Sequence, residues 1–249
     1  MHKFFWLILL ISSCSVGKIV DEKVTKKVPI KETIQFSSLD GIRITADHYV
    51  LDQNKPVIVL CHQARWSRGE YNEIAPKLNA LGYNCLAIDQ RAGKECNGVI
   101  NKTALEAKEV TKKDASFLEA EPDIIAAVQW AKKKYPSVIL WGSSYSASLV
   151  LKVAKQDAEI KKVLSFSPGE YFGDEMNLKR TIEGLQTPCF ITCSKREAHS
   201  AADIYDVCRS SKKNLFIPTT DGNHGSRALY EKFSDHEAYW SAVKNFLKN

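Results

Sequence analysis

The sequence predicts an α/β protein built on a mostly parallel, doubly wound sheet with an antiparallel hairpin at its start. Three observations carry this. Residues 56–61 (PVIVLC) form a continuous apolar run, the pattern of a strand buried on both faces. Further apolar runs recur along the chain with helical patterns of ten or more residues between them, which implies right-handed β-α-β crossovers. Residues 33–36 and 42–50 alternate apolar and polar around Asp40-Gly41, as a hairpin does. At 249 residues, 44% hydrophobic and 26% charged, the chain has the size and composition of one globular α/β domain.

After the hairpin and the strand at 56–61, a helix is expected over about 69–81 and a second buried strand over 83–88. The amphipathic stretch 122–134 precedes a third strand at 138–141. A helix over 144–154, a strand at 163–166, a strand at 189–193, a helix over 201–210 and a strand at 215–217 follow. A closing amphipathic helix spans 230–247. No linker or repeat divides this series. In such folds ligands bind beyond the carboxyl ends of the strands, so the residues just after each strand are where chemistry is expected.

The N-terminal end reads differently. Met1-His2-Lys3 is a short basic start, and residues 4–11 (FFWLILLI) are apolar throughout. Eight helical residues rise about 12 Å against the roughly 30 Å of a bilayer's hydrocarbon core, so this is no membrane span. It has the form of a secretory signal. Ile11-Ser12-Ser13-Cys14 then resembles the signal of bacterial lipoproteins, and that resemblance implies Cys14 as the lipidated first residue of the mature chain. The alternative is a secreted protein cut nearby. Residues 1–14 are thus expected to be a signal, 15–30 a tether and 31–249 the folded domain. The expected location is the cell envelope, lipid-anchored and facing the periplasm or the exterior.

Of the six cysteines after Cys14, Cys61, Cys85, Cys189 and Cys193 fall in strand-like runs and read as core residues. Cys96 and Cys208 are left as a conceivable disulfide. No Cys or His spacing of a metal site appears, and no metal or cofactor is expected. The net charge of +6 comes from 35 Lys and Arg against 29 Asp and Glu spread along the chain, which gives no nucleic-acid footprint. The oligomeric state is not legible.

One constellation emerges at the strand ends. After the strand at 138–141 comes Gly142-Ser143-Ser144-Tyr145-Ser146, a G-x-S-x-G elbow with Ser in its last place, which makes Ser144 the candidate nucleophile. Small residues are needed on both sides of such a serine because the turn is strained and the helix crosses close to a neighbouring strand. Ser143 fits the spacing poorly. Asp221-Gly222-Asn223-His224-Gly225 lies between the last strand and the last helix, where His224 can serve as general base. The loop after the strand at 189–193 carries Glu197, the best-placed carboxylate to orient His224, with Asp203 as the fallback. The order Ser, acid, His is that of the elbow-bearing enzymes.

On these residues the chain resembles the α/β-hydrolases, and more narrowly the compact dienelactone-hydrolase-like esterases, over about residues 31–249. Cys61-His62-Gln63-Ala64 and Asp89-Gln90-Arg91-Ala92-Gly93 stand where the family has equivalent loops. The resemblance implies an oxyanion hole from the N–H groups of Ala64 and Tyr145. Gln63 stands where the family commonly has Gly, Glu197 where it commonly has Asp, and Ser146 where it commonly has Gly. Only about twenty residues, 167–187, separate two consecutive strands where lidded members insert a cap. No large cap domain is therefore expected, and Arg65, Trp66, Glu170 and Tyr171 should rim an open substrate pocket. The implied activity is a serine hydrolase cleaving short-chain or carbohydrate-linked carboxylic esters through an acyl-enzyme, without cofactor. Thioester or small-peptide hydrolysis on the same triad, or a lipid-anchored binding protein without turnover, are the alternatives.

Overall fold

A computed structural model describes residues 1–2 and 29–249 of the protein; residues 3–14 of the expected signal, Cys14 among them, and residues 15–28 of the expected tether lie outside the described residues. The folded domain begins with β1 (Ile30–Ser37) and β2 (Arg43–Val50), an antiparallel pair running from Ile30 opposite Val50 to Ser37 opposite Arg43. The turn holds Gly41 at φ 88°, a conformation that favours glycine. Next come β3 (Val57–Cys61), α1 (Ile74–Ala80) and β4 (Asn84–Ile88). A short hairpin of β5 (Glu95–Cys96) and β6 (Val99–Ile100) leads to α2 (Lys102–Thr111) and α3 (Glu121–Lys132). The second half comprises β7 (Val138–Ser143), α4 (Tyr145–Gln156), β8 (Lys162–Phe166), α5 (Leu178–Ile182), β9 (Cys189–Thr192), α6 (Ala198–Val207), β10 (Lys213–Phe216) and α7 (His236–Lys248).

The eight-stranded sheet has the order β1-β2-β4-β3-β7-β8-β9-β10. β2 pairs antiparallel with β4, and every pairing from β4 onward is parallel. Period-two alternation divides the central strands between two apolar layers. In β3, Val57, Val59 and Cys61 join the layer that holds residues of α3, α4 and α6, while Ile58 and Leu60 join the layer under α1 and α7. Both faces of the sheet are therefore covered, which is why its central strands read as unbroken apolar runs.

The structure corrects several expected boundaries. The helix expected over 69–81 is a 3-10 turn (Arg68–Tyr71) followed by α1 from Ile74. A helix starting at 69 would put Pro76 in its interior, where it has no N–H to donate; starting at Ile74 puts that proline in the first turn, where none is needed. The closing helix begins at His236 instead of 230, because Tyr230 is extended (φ −72°, ψ 137°) after a 3-10 turn at Ser226–Leu229. α2 was not expected. It buries only Thr103 and Ala107, leaves Leu105 and Val110 exposed, and so lacks an apolar stripe; the Asn101 side chain caps it by accepting from the Ala104 N–H at 2.8 Å. Residues 167–187 hold one 3-10 turn and the five-residue α5, and no cap domain is built there.

Cys61, Cys85, Cys96, Cys189, Cys193 and Cys208 are all buried free thiols. The conceivable Cys96–Cys208 disulfide is not formed. Cys208 lies against Cys189, and Cys96 against Tyr230, because β9 and the end of α6 are neighbours while β5 sits across the molecule.

Candidate active site

Ser144 stands between the end of β7 and the first residue of α4 with φ 60° and ψ −125°, a strained conformation for a residue with a Cβ. Its neighbours explain how the turn is held. A Cβ on Gly142 would stand 2.4 Å from the Ser146 carbonyl oxygen and 2.7 Å from Ala147 Cα, so only glycine lets α4 cross this close to β7. The Ser146 hydroxyl accepts from the Ser143 N–H at 2.9 Å and donates to the Cys61 carbonyl at 2.7 Å, tying the elbow to the end of β3. That tie accounts for a serine where glycine is commoner. The Ser144 N–H donates to Phe166 O at 2.8 Å, which fixes the elbow to β8. Ser143, the other serine of the motif, is fully buried and gives its proton to Glu70 Oε1 at 2.7 Å, so it is no nucleophile.

Glu197 and His224 meet as the chain order requires. His224 Nδ1 is 2.5 Å from Glu197 Oε1. Glu197 Oε2 accepts from the Ser194 N–H (2.9 Å), the Ser194 hydroxyl (2.7 Å) and the Ser167 hydroxyl (2.9 Å). Burial acts to raise the Glu197 pKa, but His224 and Ser194 outweigh it and hold the carboxyl at about 2. Beside an ionised Glu197, His224 Nδ1–H is the donor of this bond, and Nε2 points away from the carboxylate. Asp203, the fallback acid, lies on α6 and pairs with Lys179 at 3.1 Å instead.

Two buried serines that motif reading did not single out bind the loops together. Ser167, itself at φ 57°, donates to Glu197 and accepts from the Gly225 N–H at 2.9 Å. Ser143 accepts from the Ser226 N–H at 2.9 Å, two residues past His224. The His224 loop is thus fastened to the acid on one side and to the residue before Ser144 on the other. The acid and histidine loops are also joined directly, by the Lys195 N–H donating to Asp221 O at 2.9 Å.

On the other side of the elbow lies the loop after β3. His62 is fully buried; its Nδ1 donates to Gln63 O at 2.8 Å, and its Nε2 accepts from the Gln90 N–H at 2.9 Å and from Asn101 Nδ2 at 3.1 Å. Burial holds its pKa down at about 4, so it is a neutral structural pin for this loop. The Tyr145 N–H opens α4, where helical amides have no partner within the helix. Ala64 is half-buried in the loop after β3, between Gln63 and Arg65.

The expected pocket residues separate. Tyr171 donates to Ser167 O at 2.8 Å and lies against the Ser144 side chain, closer to the chemistry than a rim position; burial raises its hydroxyl pKa to about 12, with Ser144 acting the other way. Arg65 is exposed, at φ 64°, on a cleft of about 610 Å³ that Ala92, Lys94, Leu105 and Phe117 also line. Phe117 stacks on Tyr145 with ring centroids 4.7 Å apart, which sets this cleft beside the elbow. Trp66 instead packs against the apolar layer under α1 and α7. Glu170 is exposed, but its carboxylate caps α5 by accepting from the Leu178 N–H (2.6 Å) and the Lys179 N–H (3.1 Å). Trp66 and Glu170 thus have structural partners away from the cleft. Of the second carried-over loop, Arg91 is bound by Asp123 and Asp40, and Asp89 by Arg68 and the Lys102 N–H, so both are framework.

No family model matches this chain. No curated protein matches it. Solved structures do. An esterase of Pyrococcus furiosus superimposes with a TM-score of 0.65 at 18% identity, covering 88% of this chain and 91% of that one. Dienelactone hydrolase of Anabaena variabilis superimposes with a TM-score of 0.68 at 14% identity, covering 88% and 97%. Est1E of Butyrivibrio proteoclasticus, solved with ferulic acid bound, gives 0.65 at 16% identity, covering 86% and 98%. At these identities the likeness establishes architecture, and the strand order and the serine elbow agree with it. The chain has the α/β-hydrolase fold, with no cap domain among the described residues.

Proposed function

We propose that the protein is a serine hydrolase that cleaves carboxylic esters of short acyl chains or of carbohydrates through Ser144, His224 and Glu197. The observation that carries the reading is Ser144 held at φ 60° between strand and helix, with the Glu197–His224 pair on the loops fastened next to it. In the proposed reaction His224 Nε2 takes the Ser144 proton as Oγ attacks the carbonyl. Glu197 stabilises the imidazolium, and the imidazolium returns the proton to the leaving alcohol. The Ala64 and Tyr145 N–H groups receive the oxyanion, each donor contributing about 3 kcal/mol to the transition state. Water, deprotonated by the same histidine, then releases the acyl group from Ser144. The likeness of the fold to an esterase of Pyrococcus furiosus supports this reading.

The absence of a cap between β8 and β9 supports small or well-solvated acyl groups, since long chains need an apolar cover. The test is hydrolysis of p-nitrophenyl acetate and octanoate by the chain from residue 15 onward, beside its Ser144→Ala variant. Wild type should turn over acetate faster than octanoate, and Ser144→Ala should fall by a factor of about 10⁴ or more. Equal rates for the two proteins end the serine-hydrolase reading; a preference for octanoate ends the short-chain one.

A further inference from the structure

Glu70 is a fully buried carboxylate in the 3-10 turn after β3, outside the triad. Its oxygens bind two loops of the site directly and a third through Ser143. Oε2 accepts from the Gln63 N–H at 2.8 Å, in the loop that carries Ala64. Oε1 accepts from the Ser143 hydroxyl at 2.7 Å, the residue before Ser144. Because that proton goes to Glu70, the Ser143 oxygen is left to accept from the Ser226 N–H at 2.9 Å, in the loop that carries His224. The turn is itself pinned, by Tyr230 donating to the Glu70 carbonyl at 2.8 Å and by the Arg68 N–H donating to Asp89 at 2.9 Å. The His224 loop approaches closely as well: a Cβ on Gly225, at φ 71°, would stand 2.5 Å from Ser143 Oγ.

Each bond has one direction. The Gln63 and Ser226 amides donate, and the Ser143 hydroxyl passes its proton to Glu70 while accepting from Ser226, so the ionised carboxyl accepts at both oxygens. An amide in place of this carboxylate would turn an NH2 toward a donor on one side. A buried carboxylate is costly to keep and is matched here only by the loops that it joins.

We propose that Glu70 is a positioning residue for the reaction: its carboxylate holds the oxyanion loop, the Ser144 elbow and the His224 loop in one register, acting through Gln63 and Ser143. This rests on the serine-hydrolase reading above. Since misplacement of reacting groups by about 1 Å costs about a hundredfold in rate, loss of this clamp should lower kcat and leave KM for a small acetate ester little changed.

The experiment compares Glu70→Gln, Ser143→Ala, the double variant and Ser144→Ala with wild type. Active sites are counted by titration with a fluorophosphonate, so that unfolded protein does not enter kcat, and melting temperatures are recorded. Glu70→Gln should lose about ten- to a hundredfold in kcat per titrated site, with KM within about threefold. Ser143→Ala should lose a similar factor, and the double variant little more than either single one, because both break the same link. A Glu70→Gln kcat within twofold of wild type, or losses that multiply in the double variant, overturns the proposal while Ser144→Ala remains inactive. If Ser144→Ala keeps wild-type activity, the hydrolase reading itself fails.

Discussion

Glu197 and Asp203 both follow β9 in the chain, and their partners distinguish them. Glu197 touches His224, and Asp203 is neutralised by Lys179 on the surface. Glu197→Gln should therefore lose about 10²–10⁴-fold in kcat/KM, while Asp203→Asn should stay within a few-fold of wild type. The reverse result in a p-nitrophenyl acetate assay would move the acid to Asp203. His62 offers a second test at this scale. Burial holds it at about 4 against an ordinary 6.5, so between these values the unfolded chain binds a proton that the folded one refuses. Its contribution is complete above pH 6.5, is lost as pH falls toward 4, and is flat below. The stability margin of wild type over His62→Gln, from urea unfolding, should shrink by about 3 kcal/mol from pH 7 to pH 4. A margin independent of pH would show that His62 is not held neutral. Ser144, Glu197 and His224 were each legible because loop position and chain order single them out. Glu70, Ser143 and Ser167 were not, since nothing local distinguishes a serine that bridges two loops from a serine that merely follows a strand.

At the scale of elements, the elbow is where local sequence and packing meet most tightly. Gly142 has no positive φ, and its requirement comes wholly from the backbone of α4 crossing above it. Gly142→Ala should cost about 3 kcal/mol or more, because the atoms it meets are helix backbone that cannot move aside. A melting temperature equal to wild type would show that α4 sits farther from β7 than the structure has it. Strands were the most legible elements, because burial on both faces writes them as apolar runs. The helices were legible where an apolar stripe exists, as in α3, α4 and α7. α2 escaped because it covers the sheet with little more than Thr103 and Ala107, and the start of α1 was misplaced because Pro76 outweighs the apolar periodicity before it.

For the whole molecule, the parallel part of the sheet brings the carboxyl ends of β3, β7, β8, β9 and β10 to one edge, and the residues of the proposed chemistry follow the ends of β3, β7, β9 and β10 there. The capless segment between β8 and β9 leaves this edge open. The lipoprotein-like signal adds a prediction about where the protein resides. With Cys14 intact, the full-length protein expressed in bacteria should fractionate with membranes and carry acyl groups on Cys14 by mass spectrometry, and Cys14→Ser should release it to the soluble fraction. An unmodified wild-type protein in the soluble fraction would end the anchored reading.

The sequence by itself determined the layered α/β architecture, the elbow, and the chain order of the residues proposed as nucleophile, acid and base. These follow from apolar periodicity and from turn chemistry, which act between near neighbours in the chain. Only the tertiary structure decided that Glu197 and not Asp203 meets His224, that Trp66 and Glu170 serve the scaffold, and that Glu70 lies beneath the elbow. Those outcomes depend on which side chains from distant segments share a buried, poorly hydrated space, where a carboxylate persists only if donors from several loops converge on it.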